Sequence, residues 1–521
     1  MTGVLHAWQD SIPCIFISGQ QNYSQTIKSS ALPLRQVGIQ EADIETIMAS
    51  VTKFAVTVED KEKIAFYLDK AIYLAQSGRK GPVWLDIPMD IQNSMISEDR
   101  LERYVPNFAP LPTASKEDVQ FAADAVNQAE RPVILAGHGI YSAAAESELK
   151  NLVGKLSIPV VFTRFAYDLL PSDDKHNMGV VSGANGACRY GNFCIQNADL
   201  VLCVGCRLSI ETTGPEREKF ARAAKLIVVD IDEVEHAKKG AKIDRFIHGD
   251  ARDFMERLIK MDLKSASQAW RDKCSHWKEI FRYQSEWNDG EHLVDMKVFI
   301  EKLSMCLPEG SVSVSDAGLA GAVAAAASKI KASDRFLVSY AQGEMGYSLP
   351  GACGVAVLAE GPVIAYTGDG SFMMNLQELQ TLVRNHFNVK VVILNNNGYG
   401  GVRFGQKGFL RGKTIGTDSS NGVDFPDYRK VAAAFGIPYC KSENMAGTDK
   451  AIKEIVNSKG PFICEVMCDP NQMDLHNALV NYGKRKFGFR PIEDQSPFID
   501  RETFFREMIV EPMEESSGTP V

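Results

Sequence analysis

Two neighbouring stretches of this chain repeat one plan, an apolar run that ends in a polar turn. Val363–Tyr366 leads into a Gly-Asp-Gly turn around Asp369, and Val389–Leu394 leads into three consecutive asparagines and Gly398. Short β-prone runs of this kind predict buried strands. The leucines between them recur at helical spacing, which predicts a strand, a helix and a strand. A right-handed crossover then forces the two strands to be parallel.

The polar residues that follow these strands predict a ligand site. Asp369 and Asn396 are 27 residues apart, about one crossover unit, so both should lie at the carboxyl edge of one sheet, where open α/β sheets bind ligands. Carboxylate, amide and carbonyl oxygens suit Mg²⁺ or Ca²⁺. Gly370 and Ser371 should begin the intervening helix and offer backbone N–H groups to a phosphate. Each half alone also fits an ordinary helix cap or Asn-Gly turn, but the pair at this spacing favours a metal–phosphate site.

The same residues carry a family resemblance. The segments "GDGSFMMNLQEL" and "VVILNNNGYGG" resemble the diphosphate-binding motif of thiamine diphosphate (ThDP, thiamine pyrophosphate) enzymes, and most of all the acetohydroxyacid synthase (acetolactate synthase) branch. The resemblance implies that Mg²⁺ is held by Asp369, the Asn396 side chain and the Gly398 carbonyl. It also implies a wider set of cofactor-binding residues, namely Gly343, Met345, Gly368, Asp369, Gly370, Ser371, Asn396, Gly398 and Tyr399.

Composition excludes several classes of function. A net charge of −9 and a pI near 5.6 argue against nucleic acid as a partner. The longest apolar stretches are too short to span a membrane, and the N-terminus lacks the features of a secretory signal. Eleven scattered cysteines predict reduced thiols in a cytoplasmic protein. Cys203 and Cys206 form a lone CxxC inside a strand pattern, which favours packing over a redox or zinc site.

Strand and helix patterns alternate along the whole chain, which predicts an α/β fold. With 521 residues the chain suggests about three domains. The resemblance implies three doubly wound parallel-sheet domains of the ThDP-binding fold, the first of them incomplete. Their predicted bounds are 1–103 for a partial pyrimidine-binding domain, 116–260 for a middle domain, 292–483 for a diphosphate- and Mg-binding domain, and 484–521 for a polar C-terminal tail that wraps the surface or is partly disordered.

Two further segments match the family. "GEMGYSLPGACG" resembles the segment that bends ThDP, with Met345 as the wedge between its rings and the Gly343 carbonyl as acceptor for the pyrimidine amino group. A core methionine is the alternative for Met345. "VLCVGCRLSIETTG" resembles a flavin-binding segment that keeps Arg207, but Ser209 and Ile210 replace its usual acidic pair. The sequence therefore leaves FAD binding open.

The chain departs from the family at its N-terminus. The family's activating glutamate lies several dozen positions before the segment that matches "DSIP", and here that segment is Asp10–Pro13. The glutamate would therefore precede Met1, so the catalytic residue is unknown and the chain as given is expected to be inactive. Two alternatives stay open at this point: an N-terminally truncated piece of a full enzyme, or a non-catalytic ThDP-fold subunit.

The predicted acceptor site also departs from the family. Gly401 and Gly405 stand where acetohydroxyacid synthases have a bulky Met and a Trp, and Ile39 replaces an aromatic residue. Smaller residues make a roomier site, which predicts an acceptor larger than a 2-keto acid, such as a keto sugar nucleotide.

Together the resemblance implies a ThDP- and Mg²⁺-dependent transferase or lyase that forms or cleaves a carbon–carbon bond. The substrates would be a small-molecule 2-keto acid such as pyruvate and a carbonyl acceptor. The family builds each site from two subunits, so the chain is expected to be a homodimer or homotetramer.

Overall fold

The computed structural model describes residues 1–108, 110–282, 293–472, 474–481 and 487–517. It divides into two compact units, Met1–Leu111 and Pro112–Val521. The first residue of the predicted third domain, 292, lies outside the described residues, as do 484–486 and 518–521 of the predicted tail.

The first unit is built on a parallel three-stranded sheet of order β1-β3-β2. Ala71 and Ala75 lie one helical turn apart on the longest helix, and their small side chains let that helix pack closely on Val83 and Leu85. The strands are β1 (Ile15–Gln20), β2 (Ala55–Thr57) and β3 (Val83–Pro88), and the helices are α1 (Thr2–Gln9), α2 (Ile27–Ser30), α3 (Ile44–Met48), α4 (Ile64–Gln76) and α5 (Met89–Gln92).

The second unit begins with a parallel six-stranded sheet of order β6-β5-β4-β7-β8-β9. Its central strands are apolar and buried along their whole length, as expected for strands covered by helices on both faces. The strands are β4 (Pro132–Ala136), β5 (Val160–Phe162), β6 (Asn177–Val180), β7 (Leu200–Val204), β8 (Lys225–Asp230) and β9 (Arg245–His248). The helices are α6 (Lys116–Gln128), α7 (Gly139–Ser142), α8 (Glu146–Leu156), α9 (Arg189–Gln196), α10 (Ile210–Thr213), α11 (Glu233–His236), α12 (Ala251–Ile259) and α13 (Gln268–Ile280).

A second parallel six-stranded sheet follows, of order β11-β10-β12-β13-β15-β14. The strands are β10 (Val312–Ser315), β11 (Arg335–Val338), β12 (Val363–Gly368), β13 (Val389–Asn395), β14 (Tyr439–Ser442) and β15 (Phe462–Met467). The helices are α14 (Met296–Cys306), α15 (Gly318–Ala327), α16 (Ser348–Ala356), α17 (Asp369–Phe372), α18 (Glu378–Arg384), α19 (Gly400–Phe409), α20 (Tyr428–Ala434) and α21 (Thr448–Asn457). The chain ends with an antiparallel pair, β16 (Leu479–Asn481) and β17 (Phe487–Phe489), and with α22 (Arg501–Glu507) and α23 (Glu514–Ser517).

Three parallel sheets confirm the predicted fold class. In the second six-stranded sheet the chain moves from β10 outward to β11 and then returns to β12 on the other side of β10. The connections therefore diverge above β10 and β12, which opens a crevice at the carboxyl ends of these strands. None of the helices among the described residues is both long and apolar enough to cross a membrane.

Two elements differ from the sequence prediction. The crossover between β12 and β13 contains two helices, α17 and α18, rather than one. In the turn between them the Asn375 side chain donates a hydrogen bond to the Gly346 carbonyl (3.0 Å), so this stretch follows a neighbouring loop. Gly370 and Ser371 do lie in the first of these helices, as predicted.

The tail differs in part from the predicted surface or partly disordered segment, because 488–499 is buried or half-buried, whereas exposed residues recur through 500–517. Asn192 donates to the Ile492 carbonyl at 2.8 Å, and Gln196 donates to the Glu493 carboxylate at 2.7 Å. Glu493 and Asp494 are each 1% exposed. The polar groups of this part of the tail form hydrogen bonds in the interior. A low hydropathy alone does not distinguish such a segment from one that is exposed to water.

Candidate active site

The two ends of the strand–helix–strand segment meet at one edge of the second six-stranded sheet. β12 and β13 are parallel neighbours, with Gly368 opposite Leu394. Asp369 follows β12 directly and Asn396 follows β13 directly, and their exposures are 2% and 5%. The carboxylate and the amide therefore lie in the interior at the carboxyl ends of adjacent strands.

A direct hydrogen bond joins the two turns. Oδ2 of Asp369 accepts the N–H of Gly398 at 2.8 Å, and Oδ1 accepts the N–H of Gly370 at the same distance. Burial raises the pKa of Asp369 to about 6, although these hydrogen bonds and the charge of Arg403 act in the opposite direction. Arg403 forms its ion pair with Asp418 instead (3.4 Å). A buried carboxylate of this kind is costly to ionise unless a cation is bound beside it.

Arg403 fixes the shape of the asparagine turn. Its guanidinium donates to the Asn396 and Asn397 carbonyls, each at 3.2 Å. Gly398 has a φ of +141°, and a Cβ there would lie 2.2 Å from the Thr417 carbonyl oxygen, so only glycine fits. The Gly398 carbonyl, a predicted metal ligand, already accepts the Gly400 N–H at 3.0 Å and keeps a second lone pair.

The Asp369 turn is held from the other side by two tyrosines. The ring of Tyr399 lies against Gly370, where a Cβ would come within 2.0 Å of Tyr399 Cε1. The Tyr428 hydroxyl donates to the Asp369 carbonyl at 2.9 Å. Ser371 is 8% exposed, and Gly368 precedes it in the turn with open space around its Cα. The predicted residues of this turn are thus brought together, and Tyr428 is a contact that sequence reasoning missed.

The loop after β11 carries Gly343 and Met345. Gly346 at its end lies so close to the segment after α17 that a Cβ would be 2.7 Å from the Cβ of Met374. The loop therefore borders the Asp369 turn. Met345 is 39% exposed in this chain, which disfavours the alternative of a core methionine.

Asp316 is a second buried carboxylate in the same crevice. It follows β10 and accepts hydrogen bonds from the Ser348 N–H (2.7 Å) and from the Thr367 hydroxyl. Burial raises its pKa to about 6. Both carboxylate oxygens accept hydrogen bonds from the protein. Asp316 therefore links the end of β10 to the segments that contain Ser348 and Thr367. Its segment, "SVSVSDAG", has the same strand-then-aspartate pattern as Asp369, so the sequence contained a signal for it.

The described residues do not form a metal site from acidic, histidine or cysteine side chains alone. No group of three or more His, Cys, Asp or Glu residues that could hold a metal ion occurs in the described part of the chain. The Asp369 turn does not conflict with this, because it offers one carboxylate plus amide and carbonyl oxygens. A cation there would need further oxygens from water or from a phosphate ligand.

The crevice of the first six-stranded sheet lies between β4 and β7, where the strand order reverses. The Gly137 N–H donates to the Val204 carbonyl and the Gly139 N–H to the Gly205 carbonyl, both at 2.9 Å. The backbones of the two strand ends are therefore in direct contact here. The N–H groups of Gly137 and Gly139 already have hydrogen-bond acceptors.

The two glycines that distinguish the predicted acceptor site lie on α19. A Cβ added at Gly401 or Gly405 would have no atom of the described residues within 4 Å. The space directly at these two positions is therefore open, and a roomier acceptor site stays a prediction.

Comparison with known proteins identifies related sequences along most of the chain. The central domain of thiamine pyrophosphate enzymes matches residues 119–258, and their C-terminal TPP-binding domain matches residues 316–466. Acetolactate synthase isozyme 1 large subunit of Escherichia coli (strain K12) is 29% identical over 479 residues, which cover 91% of this chain and 81% of that protein. Relatives also occur in an archaeon and in a plant. The probable acetolactate synthase large subunit of Methanocaldococcus jannaschii is 29% identical and covers 90% of this chain and 79% of its own length. The chloroplastic acetolactate synthase of Arabidopsis thaliana is 29% identical, with 91% and 70% covered.

Proposed function

Because this chain belongs to the thiamine pyrophosphate enzymes and is similar to acetolactate synthase large subunits, we propose that its Asp369 turn binds ThDP through Mg²⁺. Asp369, the Asn396 side chain and the Gly398 carbonyl are the proposed metal ligands. The observation that carries the proposal is the 2.8 Å hydrogen bond between Asp369 and Gly398, which holds the two turns together at the carboxyl edge of the sheet.

The residues of the turn have separate tasks in this proposal. Asp369 supplies the negative charge, which Mg²⁺ keeps ionised in spite of burial. The Ser371 N–H lies in the first turn of α17 and is free of helical bonding, so it is the proposed donor to the diphosphate. The Gly370 N–H donates to the Asp369 carboxylate instead and so stabilises the turn.

Bound ThDP supplies the electron sink for breaking and making a bond next to a carbonyl. The protein's part is to position it. In the proposed arrangement the Gly343 carbonyl accepts the pyrimidine amino group and Met345 lies between the two rings, while Tyr399 borders the diphosphate. The support for this is that the loop after β11 packs beside the Asp369 turn.

The proposed reaction uses a 2-keto acid as donor and a carbonyl compound as acceptor. For the acceptor, the open space beside Gly401 and Gly405 supports a group larger than a simple 2-keto acid, such as a keto sugar nucleotide. Removal of bulk from such a pocket changes discrimination by about 1–3 kcal/mol per group, so the acceptor can be identified only by direct comparison of substrates.

FAD has no role in this proposal and stays a prediction of the sequence. A dinucleotide pyrophosphate normally takes backbone N–H groups at the strand-order reversal. In this chain Gly137 and Gly139 donate theirs to carbonyls of the neighbouring strand end, which does not fit that mode of binding. The predicted domain bounds and the cytoplasmic location likewise stay predictions.

The metal assignment is tested by Asp369→Asn. This change keeps the size of the side chain and removes its charge, so ThDP affinity measured by calorimetry in Mg²⁺ should fall at least about 10-fold. Asp449→Asn is the matched control, because Asp449 is an exposed carboxylate that pairs with Lys302 at the surface. Equal ThDP affinity of wild type and Asp369→Asn, with both folded by circular dichroism, would remove Asp369 from the metal site.

A further inference from the structure

His476 lies where three segments of the second unit meet. Its backbone exchanges hydrogen bonds with Ser496 (2.9 and 3.0 Å) and forms a β-bridge with Asn185. Its ring packs edge-on against Phe404, with the ring centroids 4.4 Å apart. The proposed chemistry gives this half-buried imidazole no task.

One contact links His476 to each part of the proposed site. Phe404 lies on α19 between Gly401 and Gly405, so the imidazole borders the helix that flanks the open acceptor space. On the other side, Asn185 accepts a hydrogen bond from the Tyr340 hydroxyl, and Tyr340 is three residues before Gly343. His476 therefore stands between the acceptor helix and the proposed pyrimidine-binding loop.

The hydrogen bond of the ring fixes its tautomer. Nδ1 is 2.8 Å from the Asp474 carbonyl oxygen, which can only accept, so Nδ1 carries the proton. Burial lowers the pKa of His476, which keeps the ring neutral near pH 7. The nearby Asp474 carboxylate is neutralised by Lys297 at 2.8 Å. Nε2 then presents a lone pair, and no hydrogen bond to it comes from the residues that the structure describes.

We propose that Nε2 of His476 accepts a hydrogen bond from a hydroxyl group of the acceptor substrate, which makes the acceptor a hydroxylated ketone or aldehyde. The proposal rests on the proposed function, because it assigns the acceptor of the same reaction. A 2-keto acid anion has only hydrogen-bond acceptors and gives Nε2 nothing to bind. A hydroxylated carbonyl compound supplies the missing donor.

The first test is ¹⁵N NMR of the full chain with labelled histidine, in which His476→Phe identifies the His476 signals. We expect the Nδ1-protonated neutral form in the free protein. In ThDP and Mg²⁺, dihydroxyacetone should then shift the Nε2 resonance saturably, whereas acetone, which lacks only the hydroxyls, and 2-oxobutanoate should not. An Nε2-protonated ring, the same response to all three compounds, or no response to dihydroxyacetone would overturn the proposal.

The second test compares variants in the affinity of the ThDP- and Mg²⁺-loaded chain for dihydroxyacetone, measured by calorimetry, so it does not depend on turnover. His476→Phe keeps a ring against Phe404 and removes Nε2, so the Kd for dihydroxyacetone should rise about 10-fold, the worth of one hydrogen bond. His476→Gln restores an acceptor oxygen and should recover part of the loss. His248→Phe, which changes a histidine on β9, is the control and should bind like the wild type. An unchanged Kd in His476→Phe, or an equal loss with Gln and Phe, would contradict a hydrogen bond to the acceptor.

The two tests distinguish a wrong role for His476 from a wrong proposed function. Failure of ThDP to bind in Mg²⁺, measured by calorimetry on the wild-type chain, contradicts the proposed function. Normal ThDP binding with an Nε2 resonance that ignores dihydroxyacetone contradicts only the role of His476.

Discussion

Asp316 and Asp369 show how one residue type performs two tasks in one crevice. Both follow a strand of the same sheet, and burial raises both pKa values to about 6. The oxygens of Asp316 are occupied by Ser348 and Thr367, so it holds the crevice together. Asp369 accepts backbone N–H groups of the two turns, and it is the carboxylate proposed to bind the metal.

The raised pKa of Asp316 predicts a pH-dependent contribution to stability. Its folded-state pKa lies above its ordinary value of 3.8, so the stabilising contribution is fully present below about pH 4 and is lost as the pH rises through about 6. Asp316→Asn keeps the shape and cannot ionise. Relative to wild type, the variant should therefore gain about 2 kcal/mol of unfolding free energy between about pH 4.5 and 7.

Urea denaturation of both proteins across this pH range measures the difference. Asp449→Asn is the control and should run parallel to the wild type between about pH 4.5 and 7, because the hydrogen bond from Lys302 lowers the pKa of Asp449 and keeps this exposed carboxylate ionised over that range. A variant curve parallel to the wild type would show that Asp316 is ionised in the folded protein at low pH as well.

The sequence predicts the position of some residues of the site and not of others. Asp369, Asn396 and Gly398 follow predicted strands directly, so strand prediction alone places them at one sheet edge. Arg403 and Tyr428 reach the same turns from later helices. Their contacts depend on how those helices pack against the sheet, and a local sequence pattern does not predict that packing.

At the level of elements, α19 contains four glycines, of which Gly401 and Gly408 are exposed and Gly400 and Gly405 are half-buried. Glycine in a helix interior costs up to about 1 kcal/mol relative to alanine. An added Cβ at Gly405 meets nothing within 4 Å, whereas at Gly398 it would meet the Thr417 carbonyl oxygen at 2.2 Å. The helix is therefore less stable than one with alanine at Gly405.

This contrast predicts opposite effects for two glycine-to-alanine changes. Gly405→Ala should raise the unfolding free energy by up to about 1 kcal/mol. Gly398→Ala should lower it by about 1–3 kcal/mol, because alanine must adopt a positive φ and displace backbone. Thermal unfolding monitored by circular dichroism compares both with the wild type. A destabilised Gly405→Ala would show that the space beside α19 is filled.

The elements themselves were predicted well where a strand is short and apolar, as for β12 and β13. The prediction was wrong for the single helix between them, and it missed the burial of 488–499 in the tail. In both cases the deciding interactions are side-chain hydrogen bonds to distant segments, Asn375 to Gly346 and Asn192 to Ile492. Local propensity does not include such contacts.

At the scale of the whole molecule, the first unit leaves apolar surface uncovered. β1 is an edge strand of its sheet, and it exposes Ile15 (39%) and Ile17 (61%). Exposed apolar side chains on an open sheet edge are typical of a surface that a further strand or another chain covers. The prediction of a homodimer or homotetramer can be tested at this edge.

Sedimentation velocity of the full chain should show at least a dimer. Ile17→Lys puts a charge on the exposed edge strand and should shift the distribution towards monomer. Val234→Lys is the matched control, because Val234 is 76% exposed on α11. A wild-type monomer that binds ThDP and turns over would contradict a site shared between subunits.

The Asp369 turn and the Asn396 turn are proposed to bind one metal diphosphate. The most direct test is a double-mutant cycle of ThDP affinity in Mg²⁺, with Asp369→Asn, Asn396→Ala and the two combined, measured by calorimetry on proteins shown to be folded. If both side chains hold one metal ion, each single change should weaken binding at least about 10-fold, and the double variant should bind little worse than the weaker single one. Losses that multiply in the double variant, or an Asn396→Ala protein that binds ThDP like the wild type, would show that the two turns do not share a ligand.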